Sequence, residues 1–313
     1  MRIQIKNRTV NPREQATTYD VVMDITATNL AQDFIAELTE ATPALVVTGA
    51  GISVSTGIPT YRDETGKWLR SDPITHQQFM GDFRQQQRYW GRSLLGWPAV
   101  RDAKPAAGHR LLAQLEHKSF LSHIVTQNVD RLHQRAGSTR VTDLHGRLDR
   151  VVCLSCKTFF SRDLLQKDLE RLNPGINHST VAARPDGDAD MPDQTVESIK
   201  VPKCRECEGT LMPDVVFFGG SIPSERVAES KLALGRSNSL LVIGSSLQVY
   251  SGYRFCKWAA AANKPIFLIN PGKTRADDMA KKWQVDADTG LETLLAAIRK
   301  KSTKQTHTGN TAA

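Results

Sequence analysis

The chain has 313 residues, with 41 Lys and Arg against 33 Asp and Glu, so its formal net charge is +8 at pH 7. Since a domain has about 150 residues on average, a chain of this length is predicted to form roughly two domains. Its composition, with 40% hydrophobic and 24% charged residues, excludes a largely disordered chain. No apolar run reaches the ~18 residues of a membrane span. The first 20 residues include Glu14 and Asp20 and lack an apolar signal segment. We therefore expect a cytoplasmic protein with no membrane partner.

The N-terminal part of the chain divides into an arm and a helix. Residues 1–28 are mixed and polar and are predicted to form an arm. Within residues 29–40, Leu30, Phe34 and Leu38 recur at helical spacing, which predicts an amphipathic helix.

A buried strand is predicted at Ala44–Thr48, and it leads directly into the turn Gly49–Ser53, GAGIS. A strand that enters a glycine-rich turn before a helix is typical of phosphate sites in α/β sheets. A dinucleotide fingerprint would have a third glycine where Val54 stands, so a tight turn without a ligand remains an alternative. The polar run 56–63, TGIPTYRD, is a candidate loop over a bound pyrophosphate or nicotinamide.

Three further apolar runs predict buried strands, at residues 122–126, 240–243 and 265–269. Helical patterns at 108–117 and 253–262 lie between them. Strands that alternate with helices predict a parallel sheet covered on both faces. Ligands of such sheets bind beyond the carboxyl ends of the strands, where glycine and amide residues follow each predicted strand.

Polar residues after the second strand are candidate ligand contacts. Gln127, Asn128 and Asp130 follow it immediately, and buried polar groups there need partners. They suit a ribose or a carboxamide, although Asn128 or Asp130 as a helix cap is the alternative. His145 lies in the sequence LHG before the cysteine region; an isolated histidine is more often an ordinary surface or hydrogen-bonded residue.

Four of the five cysteines form two C-x-x-C pairs, Cys153 with Cys156 and Cys204 with Cys207. Without an export signal, disulfides are not expected, and four thiolates are typical of a closed structural zinc site. Two unrelated reduced pairs are the alternative, whereas redox chemistry is disfavoured because neither pair opens a helix after a strand. Cys256 is predicted to be a small buried hydrophobic residue in a helix.

Eight motifs in sequence order resemble the sirtuins, which are NAD-dependent protein deacylases. They are GAGIS, GIPTYR, TQNVDRLHQRAG, LHG, the paired C-x-x-C, PDVVFFG, GSSLQVYSG and LIN, and the resemblance extends from about residue 44 to 290. RYWGR, VVFFGG and SLQVYSGYRF are most similar to the class II branch.

The resemblance implies a fold and a domain organisation. The fold class is α/β, a Rossmann-like parallel sheet with helices on both faces and a small zinc-ribbon and helical lobe. The Rossmann-like domain would comprise residues 29–146 and 213–299, with a helical insert at about 68–105. Residues 147–212 would form the zinc-binding module, and residues 300–313 a disordered tail.

The resemblance also implies the residues that contact NAD. The pyrophosphate would lie on the first glycine turn, at Gly49, Ala50, Gly51, Ile52 and Ser53. A flexible cofactor loop would contribute Pro59, Tyr61 and Arg62. The ribose and nicotinamide pocket would be lined by Gln127, Asn128 and Asp130. The adenosine half would contact Gly244, Ser245, Ser246, Asn270 and Gly272.

The implied reaction converts an acyl-lysine protein or peptide and NAD into free lysine, nicotinamide and O-acyl-ADP-ribose. His145 would be the general base, accepting a proton from a ribose hydroxyl, and Asn128 would be a second catalytic residue. NAD would be consumed as a co-substrate. One structural Zn²⁺ would be held by Cys153, Cys156, Cys204 and Cys207.

Two further residue sets are expected to contact the acylated substrate. The peptide would add as a strand between residues 246–249 and the segment Val216, Phe217, Phe218 and Gly219, although core packing is an alternative role for the two phenylalanines. Tyr89 and Arg92, spaced i and i+3 on one helix face, resemble the pair in sirtuins that remove acidic acyl groups, which predicts preference for acidic or long acyl chains. The alternative is a solvated helix face.

Other functions remain open at the level of sequence. Protein mono-ADP-ribosyl transfer by the same fold begins with the same bond cleavage and is the main alternative. A nucleic-acid-binding zinc ribbon is disfavoured because Cys204-Arg205-Glu206-Cys207 mixes charges without interleaved aromatic residues. A non-catalytic NAD sensor is the third possibility. We expect a monomer without a specific nucleic-acid partner.

Overall fold

A computed structural model describes residues 29–58, 60, 73–176, 187–189 and 191–308. The predicted arm, residues 1–28, lies outside them. In chain order the elements are α1 (residues 29–40), β1 (Ala44–Thr48), a 3-10 helix (Ala50–Thr56), α2 (His76–Gly81), α3 (Phe83–Asp102), α4 (Ala107–His117), β2 (Leu121–Thr126), α5 (Leu132–Arg135), β3 (Val141–Asp143), β4 (Gly146–Cys153), β5 (Phe159–Ser161), α6 (Arg162–Leu172), α7 (Asp193–Ser198), β6 (Leu211–Val215), α8 (Ser224–Gly235), β7 (Ser239–Ile243), α9 (Tyr250–Ala261), β8 (Ile266–Ile269), a 3-10 turn (Asp277–Met279), β9 (Lys281–Trp283) and α10 (Ala287–Thr308).

The large sheet has six strands in the order β3-β2-β1-β7-β8-β9. Every neighbouring pair is parallel, and in the centre Val47 of β1 is in register with Val125 of β2 and Val242 of β7. Parallel strands of one sheet require crossover connections, which helices supply here. The predicted fold class, a Rossmann-like parallel sheet, is confirmed.

Side chains of β1 alternate between two apolar layers, as the two-residue period of a strand requires. Val46 packs with Phe34 of α1 and Leu291 of α10 on one face, and Leu45 packs with Phe255 of α9 on the other. All five residues of β1 are buried, because helices cover both faces. This explains why the strand reads as a continuous apolar run.

A smaller antiparallel sheet, in the order β5-β4-β6, forms a separate lobe with α3 and α6. Trp90 of α3 is fully buried there, packs in one cluster with Leu165 of α6 and Val151 of β4, and donates from Nε1 to the carbonyl oxygen of Leu211 at 3.3 Å. Among the described residues, no helix has both the length and the apolar character needed to cross a bilayer.

The last helix, α10, continues to Thr308. It thus enters the stretch 300–313 for which a disordered tail is expected, and that expectation stays a prediction. Residues 300–308 contain no Gly or Pro, so nothing in the backbone chemistry stops the helical hydrogen bonds there. The other domain boundaries stay predictions.

Candidate active site

A cavity of about 920 Å³ opens beyond the carboxyl ends of β1, β2, β7 and β8. Residues from the small lobe, including Val216, Phe217 and Leu148, line its other side. A volume of this size is in the range of cofactor and ligand sites. The cavity therefore lies where the sequence predicted that the glycine and amide loops would meet.

The two glycine loops that form its floor pack against each other through backbone atoms. The Gly51 amide donates to the carbonyl oxygen of Gly244 at 2.8 Å. A Cβ on Gly51 would lie 2.7 Å from the Gly244 backbone, and one on Gly49 would lie 2.8 Å from Cβ of Ser245. Gly244 itself has φ +61°, a conformation that side chains disfavour. The glycines at 49, 51 and 244 are thus needed because the loops after β1 and β7 are too close together for side chains at these positions.

His145 lies at the wall of this cavity with both ring nitrogens engaged. Nδ1 is 2.9 Å from the backbone carbonyl oxygen of Gln127, and Nε2 is 2.8 Å from Oγ of Ser251. Because a carbonyl oxygen only accepts hydrogen bonds, Nδ1 bears the proton and Nε2 presents its lone pair. The hydroxyl of Ser251 therefore donates to Nε2.

The surroundings of His145 favour the neutral ring. Burial lowers the pKa of this imidazole to about 4; the hydrogen bond to the Gln127 carbonyl opposes that shift, and the positive charges of Arg254 and Arg226 add to it. A neutral ring with an unprotonated Nε2 is the form that a general base requires.

Asn128 and Asp130 form a polar group with Ser53 beside the first glycine turn. Nδ2 of Asn128 donates to the Gly49 carbonyl oxygen at 3.2 Å and to Oγ of Ser53 at 3.1 Å, and Ser53 donates to Oδ2 of Asp130 at 2.9 Å. Burial raises the pKa of the Asp130 carboxyl. Asp130 also accepts from the Leu132 amide at 2.9 Å, but the N-cap residue of α5 is Arg131, so the helix-capping alternative is wrong for both Asn128 and Asp130.

Gln127 connects the ends of two strands. Its Nε2 donates to the Thr48 carbonyl oxygen at 3.2 Å and to Oγ of Ser245 at 2.8 Å. The side chain thus fixes the loop after β1 to the loop after β7, while its backbone carbonyl orients His145. These bonds give Gln127 a clear positioning role in the site.

The remaining predicted cofactor residues divide into three groups. Ala50, Ser245, Ser246, Asn270 and Gly272 all line the cavity. Ile52 does not: it is 1% exposed and packs in the core with Leu291, because the 3-10 helix turns this apolar side chain inward. Pro59, Tyr61 and Arg62 lie outside the described residues.

The segment predicted to pair with a peptide lines the same cavity as residues 246–249. Val216 donates its amide to the His145 carbonyl oxygen at 2.7 Å, and Phe218 accepts from the His76 amide at 2.8 Å. Gly219 has φ +73° and ends the extended segment. The Phe217 ring lies 5.1 Å from that of Phe79, so it is also part of the core.

The two residues predicted to read the acyl group have different surroundings. Tyr89 lines the cavity, with its ring 5.2 Å from that of Phe217. Arg92 is 4% exposed; its Nε donates to the Ala189 carbonyl oxygen at 2.8 Å and its guanidinium forms an ion pair with Asp188. Asp188 itself lines the cavity. The alternative, a solvated helix face, is therefore wrong for Arg92.

The four paired cysteines converge in the small lobe. Their sulfur atoms all lie within 4.8 Å of one another, with Sγ of Cys153 3.5 Å from that of Cys207 and Sγ of Cys156 3.7 Å from that of Cys204. A tetrahedral zinc with Zn–S bonds of ~2.3 Å places sulfurs ~3.8 Å apart. The set therefore fits a structural Zn²⁺ with no open coordination position.

Three residues around the site were not identified from sequence. Ser251 and Arg254 lie in SLQVYSGYRF, a motif that the sequence analysis used only for family resemblance. Asp188 lies between the two C-x-x-C pairs, outside every motif named above. Contacts across long chain separations decide the roles of Ser251 and Asp188, and the role of Arg254 is the charge that it places near His145. Local patterns do not contain that information.

Comparison with known proteins agrees with this geometry. The Sir2 family model matches residues 49–251. An NAD-dependent protein deacetylase of Xanthomonas campestris pv. campestris is 51% identical over 234 residues, which cover 75% of this chain and 80% of the relative. A protein of the same description from Bordetella bronchiseptica is 50% identical, with 75% of this chain and 85% of the relative covered.

Solved structures give the same result. A structure described as Sir2 with p53 peptide and NAD+ has a TM-score of 0.69 and 28% sequence identity, and the match covers 85% of this chain and 97% of that chain. Together with the cavity, the glycine loops and the four converging cysteines, these matches show that the chain belongs to the Sir2 family, the sirtuins.

Proposed function

We propose that this chain is an NAD-dependent protein-lysine deacylase that releases nicotinamide and O-acyl-ADP-ribose. The observation that carries the proposal is the imidazole of His145, which lines the same cavity as the glycine loops and Asn128 and has its proton on Nδ1. Relatives with about half of their aligned residues identical are named NAD-dependent protein deacetylases. No observation favours ADP-ribosyl transfer instead.

Different residues of the chain would bind the cofactor and accept the proton. Gly49, Gly51 and Gly244 form a floor that lets a pyrophosphate approach the backbone. Asn128 and Asp130 would contact the ribose next to the nicotinamide, with Asn128 as a second catalytic residue. When bound, NAD supplies an electrophilic ribose carbon and nicotinamide as leaving group. His145 takes a ribose hydroxyl proton at Nε2.

The acylated substrate is a protein or peptide whose strand lies between the Val216–Gly219 segment and residues 246–249. Backbone pairing on both sides tolerates varied sequences, so selectivity would depend on the acyl tunnel near Tyr89. We propose that Arg92 takes part in recognising an acidic acyl group, whose carboxylate competes with that of Asp188 for the guanidinium. The bound Zn²⁺ would hold β4 and β6 together and supply no reacting group.

The remaining assignments rest on sequence reasoning. A cytoplasmic location fits reduced zinc-binding thiols, and the monomeric state and the lack of a specific nucleic-acid partner stay predictions. Membership of the class II branch rests on the three motifs given above.

The proposal is tested with the purified chain and an acyl-lysine peptide, with and without NAD. Mass spectrometry should show that the lysine loses its acyl group only when NAD is present, with one nicotinamide released per lysine. The variant His145→Gln is the matched control, because it keeps a polar side chain without a titratable base. A peptide that gains ADP-ribose, or a chain that leaves every acyl peptide intact, would overturn the proposal.

A further inference from the structure

Ser251 lies in the first turn of α9 and contacts the proposed base directly. Its side chain is 8% exposed, and its Oγ is 2.8 Å from Nε2 of His145. The carbonyl of Gln127 accepts the proton of Nδ1, so the hydroxyl of Ser251 is the donor to Nε2. In the free protein, the Ser251 hydroxyl therefore helps to orient the ring and, with it, the Nε2 lone pair that would accept the ribose proton.

The charged groups near His145 disfavour its protonated ring. A neutral oxygen that accepts a hydrogen bond from Nε2–H would therefore stabilise the ring after proton transfer. Among the described residues, the charges that act on the ring are those of Arg254 on α9 and Arg226 on α8, and both disfavour its protonated form. The opposite ring edge is held by the neutral carbonyl of Gln127. An imidazolium in this setting gains most from a nearby oxygen that accepts its new N–H bond, and a serine hydroxyl can both donate and accept.

We propose that Ser251 is a positioning residue for the base, donating to Nε2 before proton transfer and accepting from it afterwards. The ribose hydroxyl gives its proton to the Nε2 lone pair, and the electron pair of the broken O–H bond stays on the ribose oxygen. The Ser251 hydroxyl keeps its own proton and rotates as the ribose hydroxyl binds, because the one Nε2 lone pair cannot accept from both hydroxyls at once. After the transfer, Nε2–H donates to Oγ of Ser251 instead of to the ribose oxygen, which leaves that oxygen free to attack.

This inference rests on the proposed function, and it makes a specific kinetic prediction. The base acts after nicotinamide has left, so Ser251 should influence acyl transfer and not the earlier bond cleavage. Exchange of labelled nicotinamide into NAD in the presence of acyl peptide reports the cleavage step. Formation of O-acyl-ADP-ribose reports the base-dependent step.

The experiment compares three variants of Ser251 in the full chain. Ser251→Ala removes the hydroxyl, Ser251→Cys keeps the side-chain shape with a poor hydrogen-bond donor, and Ser251→Thr restores the hydroxyl. Ser239→Ala is the control, because its hydroxyl is also buried and bonds a carbonyl, that of Ala41 at 2.7 Å, at the end of β7 remote from the cavity.

We expect kcat for product formation to fall about 10- to 100-fold in the alanine and cysteine variants, the effect of losing one hydrogen bond to a charged group. Nicotinamide exchange should stay within about twofold of wild type, and threonine should restore product formation. The ¹⁵N resonance of Nε2 should move towards that of an unbonded imidazole nitrogen in Ser251→Ala and keep its position in Ser251→Thr.

Three results would overturn the inference. These are equal losses of exchange and product formation, unchanged product formation in both the alanine and the cysteine variants, or failure of threonine to restore it. If Ser251→Ala does not fold, the comparison of exchange and product formation in Ser251→Cys tests the inference. A wild-type chain without NAD-dependent deacylation would instead contradict the proposed function.

Discussion

Nδ1 of His145 lies 2.9 Å from the backbone carbonyl oxygen of Gln127, a residue that itself connects the loops after β1 and β7. This bond fixes the tautomer, so that Nε2 is the nitrogen with a lone pair. Because burial lowers the pKa of the ring to about 4, the proposed base is already neutral at physiological pH.

The first prediction concerns the pH dependence of activity. Since the pKa of His145 is about 4, below its ordinary 6.5, the base remains unprotonated as the pH falls from 8 to 6. We expect kcat/KM for the peptide to change less than about twofold over that range and His145→Gln to lower it at least ~100-fold. Steady-state assays at fixed ionic strength provide the measurement. A protonation midpoint near ~6.5 in the wild type would contradict the assignment.

The second prediction concerns stability. His109 is fully buried, and burial lowers its pKa from 6.5 to about 4. The unfolded chain therefore binds a proton at higher pH than the folded chain does, so stability falls as the pH drops below 6.5. Through His109 alone, the free energy of unfolding of the chain should decrease by about 2 kcal/mol between pH 7 and 5.

Urea unfolding of His109→Gln tests this dependence. Nδ1 of His109 accepts from the Ala106 amide at 3.2 Å, and glutamine at this helix position can accept the same bond without titrating. The variant should lose less stability on acidification than wild type. His117→Gln is the control because that side chain is exposed. Parallel pH curves for wild type and His109→Gln would refute the prediction.

The third prediction concerns the metal. Cys153→Ser should abolish the binding of about one Zn²⁺ per chain, because each thiolate is one of four ligands. Cys153 packs in the same cluster as Trp90, so the tryptophan emission of the small lobe should shift to longer wavelength. Atomic absorption and fluorescence provide the measurements. Cys256→Ala is the control, since this cysteine lies in the other core; loss of zinc in that variant would be evidence against the assignment.

The fourth prediction concerns acyl selectivity. Arg92 is held by Asp188 in an ion pair, so an acidic acyl group must compete with that carboxylate. Arg92→Ala should lower the ratio of kcat/KM for glutaryl-lysine over acetyl-lysine about 10-fold. Asp188→Asn should raise it, because the amide oxygen can still accept from the Ala189 amide while the competing charge is removed.

The matched control for this pair is Arg84→Ala on the same helix. Its ion pair with Glu197 is exposed on both sides, so selectivity should not change. Equal glutaryl-to-acetyl ratios in wild type and Arg92→Ala would show that the buried guanidinium has no part in acyl recognition.

Local patterns in the sequence were enough for the four central strands of the large sheet, β1, β2, β7 and β8. Ala44–Thr48 is apolar throughout because both of its faces are covered, and the glycines at 49, 51 and 244 mark the loops that pack backbone to backbone. The two C-x-x-C pairs indicated a metal site because thiolate spacing is itself a local property. The short strands β3 and β9 were missed because three-residue strands carry no clear period.

The sequence by itself determined the α/β class, the position of the cavity at the strand ends and the four ligands of the zinc site. Only the tertiary structure decided which atoms meet within that cavity: that Ser251 bonds His145, that Asp188 engages Arg92 and that Ile52 turns into the core. The physical reason is that apolar periodicity and turn chemistry act between near neighbours in the chain. Hydrogen bonds and ion pairs, in contrast, depend on distances of about 3 Å between residues that the fold alone brings together.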